Sequence, residues 1–274
     1  MSFYTSLSGL KNAQTDLDVI SHNIANADTA GFKKSTASFA DIVSASVLTD
    51  PTLTVGIGAR VEAIKQQFSL GPIEQTGNAL DMAVNGDGFF TVKSAISGLV
   101  SYTRAGSFKV DGNGFVVNDS NQRMQVFAAN ANGTIGSTAS ASDAVVPLNN
   151  GATPPAEYTG MSVGSDGRLT AAYADGSLQV IGYVALSSFA SNTGLKQLGS
   201  ASWSATGLSG PASLGQPNSG TYGALLSGAI ERSNVDIAEE LVGLISAQRS
   251  FQANAKAIDT TTQISQTIIN LRTS

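Results

Sequence analysis

The sequence predicts an α+β protein, mainly β, in which discontinuous terminal α-helices form a coiled-coil-like core domain around a central β-rich domain. Three observations carry this. At both ends of the chain apolar residues recur in steps of three, four or seven, the spacing of a helical seam. Between them, short apolar runs are separated by Asp-Gly and Asn-Gly pairs, the strongest local signal for hairpins. Gly reaches 29 residues in 274, above the roughly 7% average, and lies mostly between Gly56 and Gly228, as a chain with many turns requires.

The carboxyl-terminal segment, residues 234–271, reads as one long helix. Ser233 or Asn234 supplies an N-cap oxygen, and Asp236, Glu239 and Glu240 place negative charge in the first turns, where the helix dipole favours it. No Pro interrupts it, and Gly243 is its one glycine. The seam runs through Ile237, Leu241, Leu244, Phe251, Ala255 and Ile258, with Gln248 at one seam position, then drifts to Ile264, Ile268 and Leu271. So thin a stripe depends on a packing partner for stability.

Residues 2–25 supply a candidate partner, with Phe3, Leu7, Leu10, Leu17, Ile20 and Ile24 again at helical spacing. Each such Leu or Ile, fully buried, contributes about 1.5–3 kcal/mol. The seams predict pairing of the terminal helices, within one chain or between chains. Asn26 and Gly31 then tolerate positive φ and end the first helix. The predicted domains are 1–33 with 234–274 as the helical core, 34–72 as an extended linker segment, and 73–233 as the β-rich domain. Within the linker, residues 35–46 read as a strand or a helical turn, 48–58 as irregular, and 59–68 as a strand. In the β domain, runs at 80–85 and 88–93 flank Gly86-Asp87. Further turn pairs occur at Asp111-Gly112, Asn132-Gly133, Asp166-Gly167 and Asp175-Gly176. Residues 137–155 read as a loop.

Composition excludes several classes. Charged residues are 13% with a net charge of −5, and the longest basic run is Lys33-Lys34, so no nucleic-acid partner is expected. There is no Cys, hence no disulfide or thiolate metal site. Met1 to Leu10 lacks the charged and apolar regions of a secretory signal. No apolar run approaches the ~18 residues that span a membrane, so no membrane insertion is expected.

Candidate chemistry is sparse. The one histidine, His22, cannot build a metal site alone and reads as a structural polar contact. Asp111, Asn113 and Asp119 loosely suggest a calcium loop but lack its spacing, so a hairpin turn is the better reading. Gly56-Ile57-Gly58 lacks the third Gly of a dinucleotide fingerprint, and Glu239-Glu240 are better read as dipole-stabilising charges than as a paired-carboxylate site. No catalytic, cofactor or metal constellation is predicted, and the chain is not expected to be an enzyme.

Two stretches resemble a family closely. Ser6-Leu7-Ser8-Gly9-Leu10, Leu17-Asp18-Val19-Ile20-Ser21-His22-Asn23-Ile24-Ala25-Asn26 and Thr29-Ala30-Gly31-Phe32-Lys33 resemble the amino-terminal signature of bacterial flagellar rod and hook proteins. Ser233-Asn234-Val235-Asp236, Glu239-Glu240-Leu241-Val242, Ala247-Gln248-Arg249-Ser250-Phe251-Gln252-Ala253-Asn254 and Ile269-Asn270-Leu271-Arg272 resemble its carboxyl-terminal signature. Leu80-Asp81-Met82-Ala83-Val84, Gly88-Phe89-Phe90 and Tyr102-Thr103-Arg104-Ala105-Gly106-Ser107-Phe108 look like its β domain. His22 stands where relatives often carry Asn. Ala37-Ser38-Phe39-Ala40-Asp41 and the Ile-Asn-Leu-Arg ending look most like hook proteins; the length resembles distal-rod proteins.

The resemblance implies paired terminal helices lining a tube, with the β domain outside. It implies subunit interaction through Leu7, Leu10, Leu17, Ile20, Ile24, Leu241, Leu244, Phe251, Ile258, Ile264, Ile268 and Leu271, and motif or hinge roles for Asn23, Asn26, Gly31 and Phe32. The implied partners are further copies of the chain, neighbouring axial proteins (rod, hook–filament junction, hook cap) and the flagellar type III export apparatus, which delivers subunits to the extracellular flagellum without a cleaved signal. The competing reading is a secreted β-rich adhesin or carbohydrate-binding module. It would need an exposed aromatic platform, for which Trp203 with Tyr222 is the candidate.

Overall fold

The structure, a computed structural model, describes residues 2–43, 56–130, 135–138, 140–151 and 155–273. The chain is α+β and mainly β, and it divides into two compact units. The first combines residues 1–27, 34–67 and 235–274; the second combines 28–33 and 68–234.

In the first unit, helix α1 (Ser2–Ala25) and helix α2 (Ile237–Thr273) pack together within one chain, one of the two pairings the seams allow. They run antiparallel: Asn23 bonds Glu240, Gly243 lies beside Ile20, and Gly9 beside Asn254. Gly9 leaves room for the Asn254 side chain. A Cβ there would stand 2.6 Å from Asn254 Oδ1. The N-cap of α2 is Asp236, not Ser233 or Asn234. Its Oδ1 accepts the N–H groups of Ala238 at 2.8 Å and Glu239 at 3.3 Å, the geometry that satisfies the first orphan donors of a helix.

Strands β1 (Ser35–Val43) and β2 (Gly56–Gln66) pair antiparallel in the same unit. Where the sequence reads an extended linker, the structure has a hairpin grouped with the helices. An isolated two-stranded hairpin is marginal in water, and this one is supported by α1. Thr5 Oγ1 donates to Ile57 O at 3.3 Å, and the Ala59 N–H donates to Ser8 Oγ at 3.3 Å. Most of the segment read as irregular, 48–58, lies outside the described residues.

The second unit contains β3 (Ile73–Gln75), β4 (Met82–Asn85), β5 (Phe89–Ser94), β6 (Val100–Thr103), β7 (Phe108–Val110), β8 (Val116–Asn118), β9 (Gln122–Ala128) and β10 (Ser142–Asp143). It continues with β11 (Tyr158–Val163), β12 (Arg168–Tyr173), β13 (Leu178–Val184), β14 (Leu186–Ser188), β15 (Lys196–Gly199), β16 (Ser202–Ser204), β17 (Ser213–Gly215), β18 (Ala224–Ser227) and β19 (Ala229–Glu231). One large antiparallel sheet has the path β11-β12-β13-β9-β5-β6-β16-β15, while β18-β4 and β19-β3 form separate pairs. Central β5 is buried on both faces, and the two-residue period of a strand sends its adjacent rings opposite ways. Phe90 enters a cluster with Phe108, Met124 and Leu186, and Phe89 one with Trp203 and Tyr102.

The turn signals at 111–114, 166–167 and 175–176 join β7 to β8, β11 to β12 and β12 to β13. Asn132-Gly133 lies outside the described residues. Gly86-Asp87 does not make a hairpin. Strand β4 pairs with β18 across 140 residues of chain, whereas β5 pairs with β6, β9 and β14. Residues 137–155 are also more than a loop. Ala144 and Val146 are buried in the core, and Val116 N–H donates to Ala144 O at 3.1 Å. Strand β10 pairs with β9, and the Ala144 N–H donates to Met124 O at 2.9 Å.

Candidate functional site

Two clusters built from the segments flanking the helices stand out, one in each unit. In the first unit Asn23 is buried near the end of α1. Its Nδ2 donates to Ser35 O at 2.8 Å and to Glu240 Oε2 at 3.0 Å, while its Oδ1 accepts the Ser35 N–H at 2.9 Å. One amide thereby ties α1, β1 and α2 together. Lys34 Nζ completes the cluster, 2.8 Å from Glu240 Oε1 and 3.3 Å from Glu239 Oε2. Burial alone would push the Lys34 ammonium down, but the hydrogen bonds it donates to its two carboxylate partners, and their charge, hold its pKa above 10.5. Asp16 is shifted up, by burial and then by the Glu240 charge. These groups edge a cleft of about 390 Å³ that Val19, Ile20, Val242 and Gly243 also line.

In the second unit Lys33 and Glu231 are fully buried and Arg104 nearly so. Lys33 Nζ donates to Glu231 Oε1 at 2.5 Å and to Ser69 O at 2.7 Å. Arg104 Nη1 lies 3.3 Å from Glu231 Oε2, and the Gly71 N–H donates to Glu231 Oε1 at 2.9 Å. Two cations share one carboxylate, and Arg104 Nε has no partner among the described residues. Burial, reinforced by Arg104, pushes the Lys33 ammonium below 10.5 against the pull of Glu231. Gly31 has φ of +69° and lies so close to Arg104 and Ala105 that a Cβ would meet Ala105 N at 2.4 Å. Phe32 is buried beside it in the chain. Asn26 has no positive φ; its Nδ2 donates to His22 O at 2.9 Å.

Both clusters are structural in form, with carboxylates saturated by cations and backbone donors. Sequence reading treated Glu239-Glu240 as one dipole-stabilising pair. The structure separates them: Glu240 is buried, Glu239 is exposed at the rim. Glu231 was not singled out, and Arg104 stood only within the family signature, because nothing local marks a surface-type residue as buried. Asp111 closes a turn by accepting the Asn113 and Phe115 N–H groups. Among the described residues no group of three His, Asp or Glu is placed to hold a metal, and no helix is long and apolar enough to cross a membrane. Trp203 is fully buried, so the aromatic platform required of a carbohydrate-binding module is absent at that position.

The seam residues divide. Ile20 is buried, and Leu7, Leu10, Leu17, Ile24, Leu244, Phe251 and Ile258 are half-buried. Ala13, Val19 and Ala247, not singled out from the sequence, are buried with them. Leu241, Ile264, Ile268 and Leu271 are exposed. The last three turns of α2 extend past the α1 terminus: with Gly9 at Asn254 and Ile20 at Gly243, Ser2 falls level with about residue 261.

A helical unit made from both ends of the chain, a β unit inserted between them, and polar clusters devoted to holding segments together define a structural protein. The chain belongs to the flagellar rod and hook family. Family models described as "Flagella basal body rod protein", "Flagellar hook protein FlgE/F/G D1 domain" and "Flagellar basal body rod FlgEFG protein C-terminal" match residues 3–33, 83–171 and 226–271. The chain is 35% identical over 283 residues to the flagellar basal-body rod protein FlgG of Bacillus subtilis, covering 99% of this chain and 98% of that protein. It is 29% identical over 410 residues to the flagellar hook protein FlgE of Escherichia coli, covering 99% and 100%. It is 31% identical over 277 residues to FlgG of Buchnera aphidicola subsp. Baizongia pistaciae, covering 97% of each.

Proposed function

We propose that the chain is the structural subunit of a minimal flagellar hook, polymerising into a helical tube that acts as a flexible joint between rod and filament. The observation that carries this reading is the paired terminal helices with apolar residues left open, Ile237 and Leu241 near one end of α2 and Ile264, Ile268 and Leu271 near the other. Such surface costs free energy while it faces water, and burial against sister subunits recovers it. Head-to-tail contacts that do not close on themselves build open helical assemblies. The β units would touch through more polar faces that can exchange as the tube bends. Neighbouring axial proteins and the flagellar type III export apparatus are the further partners of this reading, and its location is the extracellular flagellum.

The hook assignment is supported by Ala37-Ser38-Phe39-Ala40-Asp41 and the Ile269-Asn270-Leu271-Arg272 ending. A specific observation favours a distal-rod subunit as the second reading. The match to the Bacillus rod protein is nearly end to end over 283 residues, whereas that to the Escherichia hook protein stretches over 410 positions, leaving residues of that protein without counterpart here. Electron microscopy of a deletion strain decides: rods without hooks support the first reading, truncated rods the second. Removing residues 235–274 is expected to leave a folded β unit that cannot polymerise; tubes formed by that truncation would overturn both.

A further inference from the structure

We infer that two turns at one end of the large sheet dock the β unit on an anionic lipid surface. The inference holds for a rod or a hook subunit alike, and the contact is peripheral, with nothing crossing the bilayer. The 94–99 turn joins β5 to β6, and the 205–210 turn leaves the carboxyl end of β16. Antiparallel pairing of Ser202 with Thr103 and Trp203 with Tyr102 brings the second turn to the end of β6 where the first one sits. Ile96 and Leu99 on the first turn are 97% and 71% exposed, and Leu208 on the second is 84% exposed. Both turns hold these side chains out on closed backbone. Ser94 N–H donates to Leu99 O at 2.9 Å, and Gly98 N–H to Ser94 O at 3.0 Å. Leu208 N–H donates to Thr206 Oγ1 at 3.1 Å, and the fully buried Ser209 accepts the Thr206 N–H at 2.9 Å. Backbone groups already bonded within a turn cost little when that turn leaves water.

Charge selects the surface that covers them. Residues 88–110 and 176–230 contain no acidic side chain, in a chain of net charge −5. Lys93 pairs with Val100 across β5 and β6, and Lys196 with Ser204 across β15 and β16, so a cation stands at the base of each turn. The Lys93 stem runs beside its turn, with Cε 4.0 Å from where a Gly98 Cβ would lie. Two acids on neighbouring segments are already engaged, Asp143 by Arg123 at 2.9 Å and Asp119 by Lys109 at 3.4 Å. Apolar tips with a basic margin are the pattern of interfacial binding, in which apolar side chains enter the headgroup boundary and lysines meet anionic lipid. The acids lie elsewhere in the chain, so an anionic surface repels those parts and attracts this end, which orients the approach. A protein partner would need a recess matched to two separate turns; a fluid surface needs none.

Full-length protein, kept dilute enough to stay monomeric, is floated with phosphatidylcholine vesicles made with or without phosphatidylglycerol. Binding to the mixed vesicles is expected to be about tenfold stronger than to phosphatidylcholine alone, and to weaken with added salt as the lysine charges are screened. Ile96→Asn and Leu208→Asn are each expected to lower it about tenfold. Lys93→Gln combined with Lys196→Gln should abolish the preference for anionic lipid. All these variants should keep the wild-type unfolding midpoint followed by Trp203. Leu178→Asn removes a side chain that is 71% exposed on β13, away from these turns, and should leave binding unchanged. Equal binding to both vesicle types, or binding to neither, overturns the inference. Binding that Ile96→Asn and Leu208→Asn leave unchanged also overturns it, and places the lipid contact on other apolar surface such as the open residues of α2. Absent vesicle binding together with a loss of polymer in Ile96→Asn assigns the turns to a protein contact instead. Each of these outcomes leaves the tubular-subunit reading standing.

Discussion

Lys33 and Lys34 are adjacent in the chain, yet they belong to different units and meet opposite environments. Lys33 is buried in the β unit, where it and Arg104 share Glu231; its ammonium is pushed below its ordinary pKa by burial. Lys34 lies in the helical unit between Glu239 and Glu240, which outweigh burial and hold its ammonium above it. In the β unit there are two cations to one carboxylate; in the helical unit there are two carboxylates to one cation. The difference extends to packing. The β unit buries Phe89, Phe90, Phe127, Trp203, Met82 and Met124 completely, whereas most of the helical seam is only half-buried. The β unit has a closed core, with single apolar side chains such as Ile96, Leu178 and Leu208 left at its surface; the helical unit leaves much of its seam itself open.

The largest effect should come from Glu231→Gln. It leaves Lys33 buried without a countercharge and Arg104 with only the charge of Asp87, and breaking a buried ion pair on one side costs about 3–5 kcal/mol. Denaturant unfolding followed by Trp203, the one tryptophan, reads this out in the β unit. A loss below about 1 kcal/mol would mean the cluster is hydrated and the contrast between the units is wrong. Glu240→Gln in the helical unit keeps a hydrogen-bonding amide beside Asn23 and Lys34, so a loss of about 1–2 kcal/mol is expected, seen in the helical far-UV signal.

The pH dependence sharpens the comparison, because the signs differ. A lysine whose folded pKa is raised contributes stability that is present below 10.5 and lost as pH rises through the folded value. A lysine whose folded pKa is lowered costs stability at neutral pH, and the cost is relieved as pH rises from the folded value towards 10.5. As pH rises beyond about 10, wild type should therefore lose its advantage over Lys34→Met in the helical melt. At lower alkaline pH, from about 8 to about 10.5, it should gain relative to Lys33→Met in the Trp203 transition. Parallel trends would refute the opposite environments. The smallest effect is expected from Ile264→Gln on the monomer, within about 0.5 kcal/mol, since exposed substitutions rarely exceed that.

The helices were legible because a three-four spacing is a property of near neighbours, and Ile20, Leu244 and Phe251 follow it directly. Hairpins closed by Asp-Gly or Asn-Gly were legible for the same reason at 111–114, 166–167 and 175–176. Gly86-Asp87 misled, since a turn-forming pair says nothing about which strand will lie beside β4, and Ala224–Ser227 arrives from far along the chain. Residues 35–66 were read in part as linker because a two-stranded hairpin with small residues has little pattern of its own. The site was less legible than the fold. Gly31 stood out as a turn residue and Asn23 through the family signature, but the partners that give Asn23 its role, Ser35 and Glu240, are visible only once three segments meet.

By itself the sequence determined the element types, the seams on both terminal helices, the turn-rich middle and the family signatures, because periodicity, propensity and motif spacing are written in residues close together in the chain. Tertiary structure alone decided that the helices pair antiparallel within one chain, that β4 joins β18, and that Glu231 and Glu240 are buried while Glu239 is not. It also decided which apolar residues of α2 remain open. The burial of a charge and the covering of a stripe depend on which distant surfaces come together and how far each helix extends, and no local spacing encodes that.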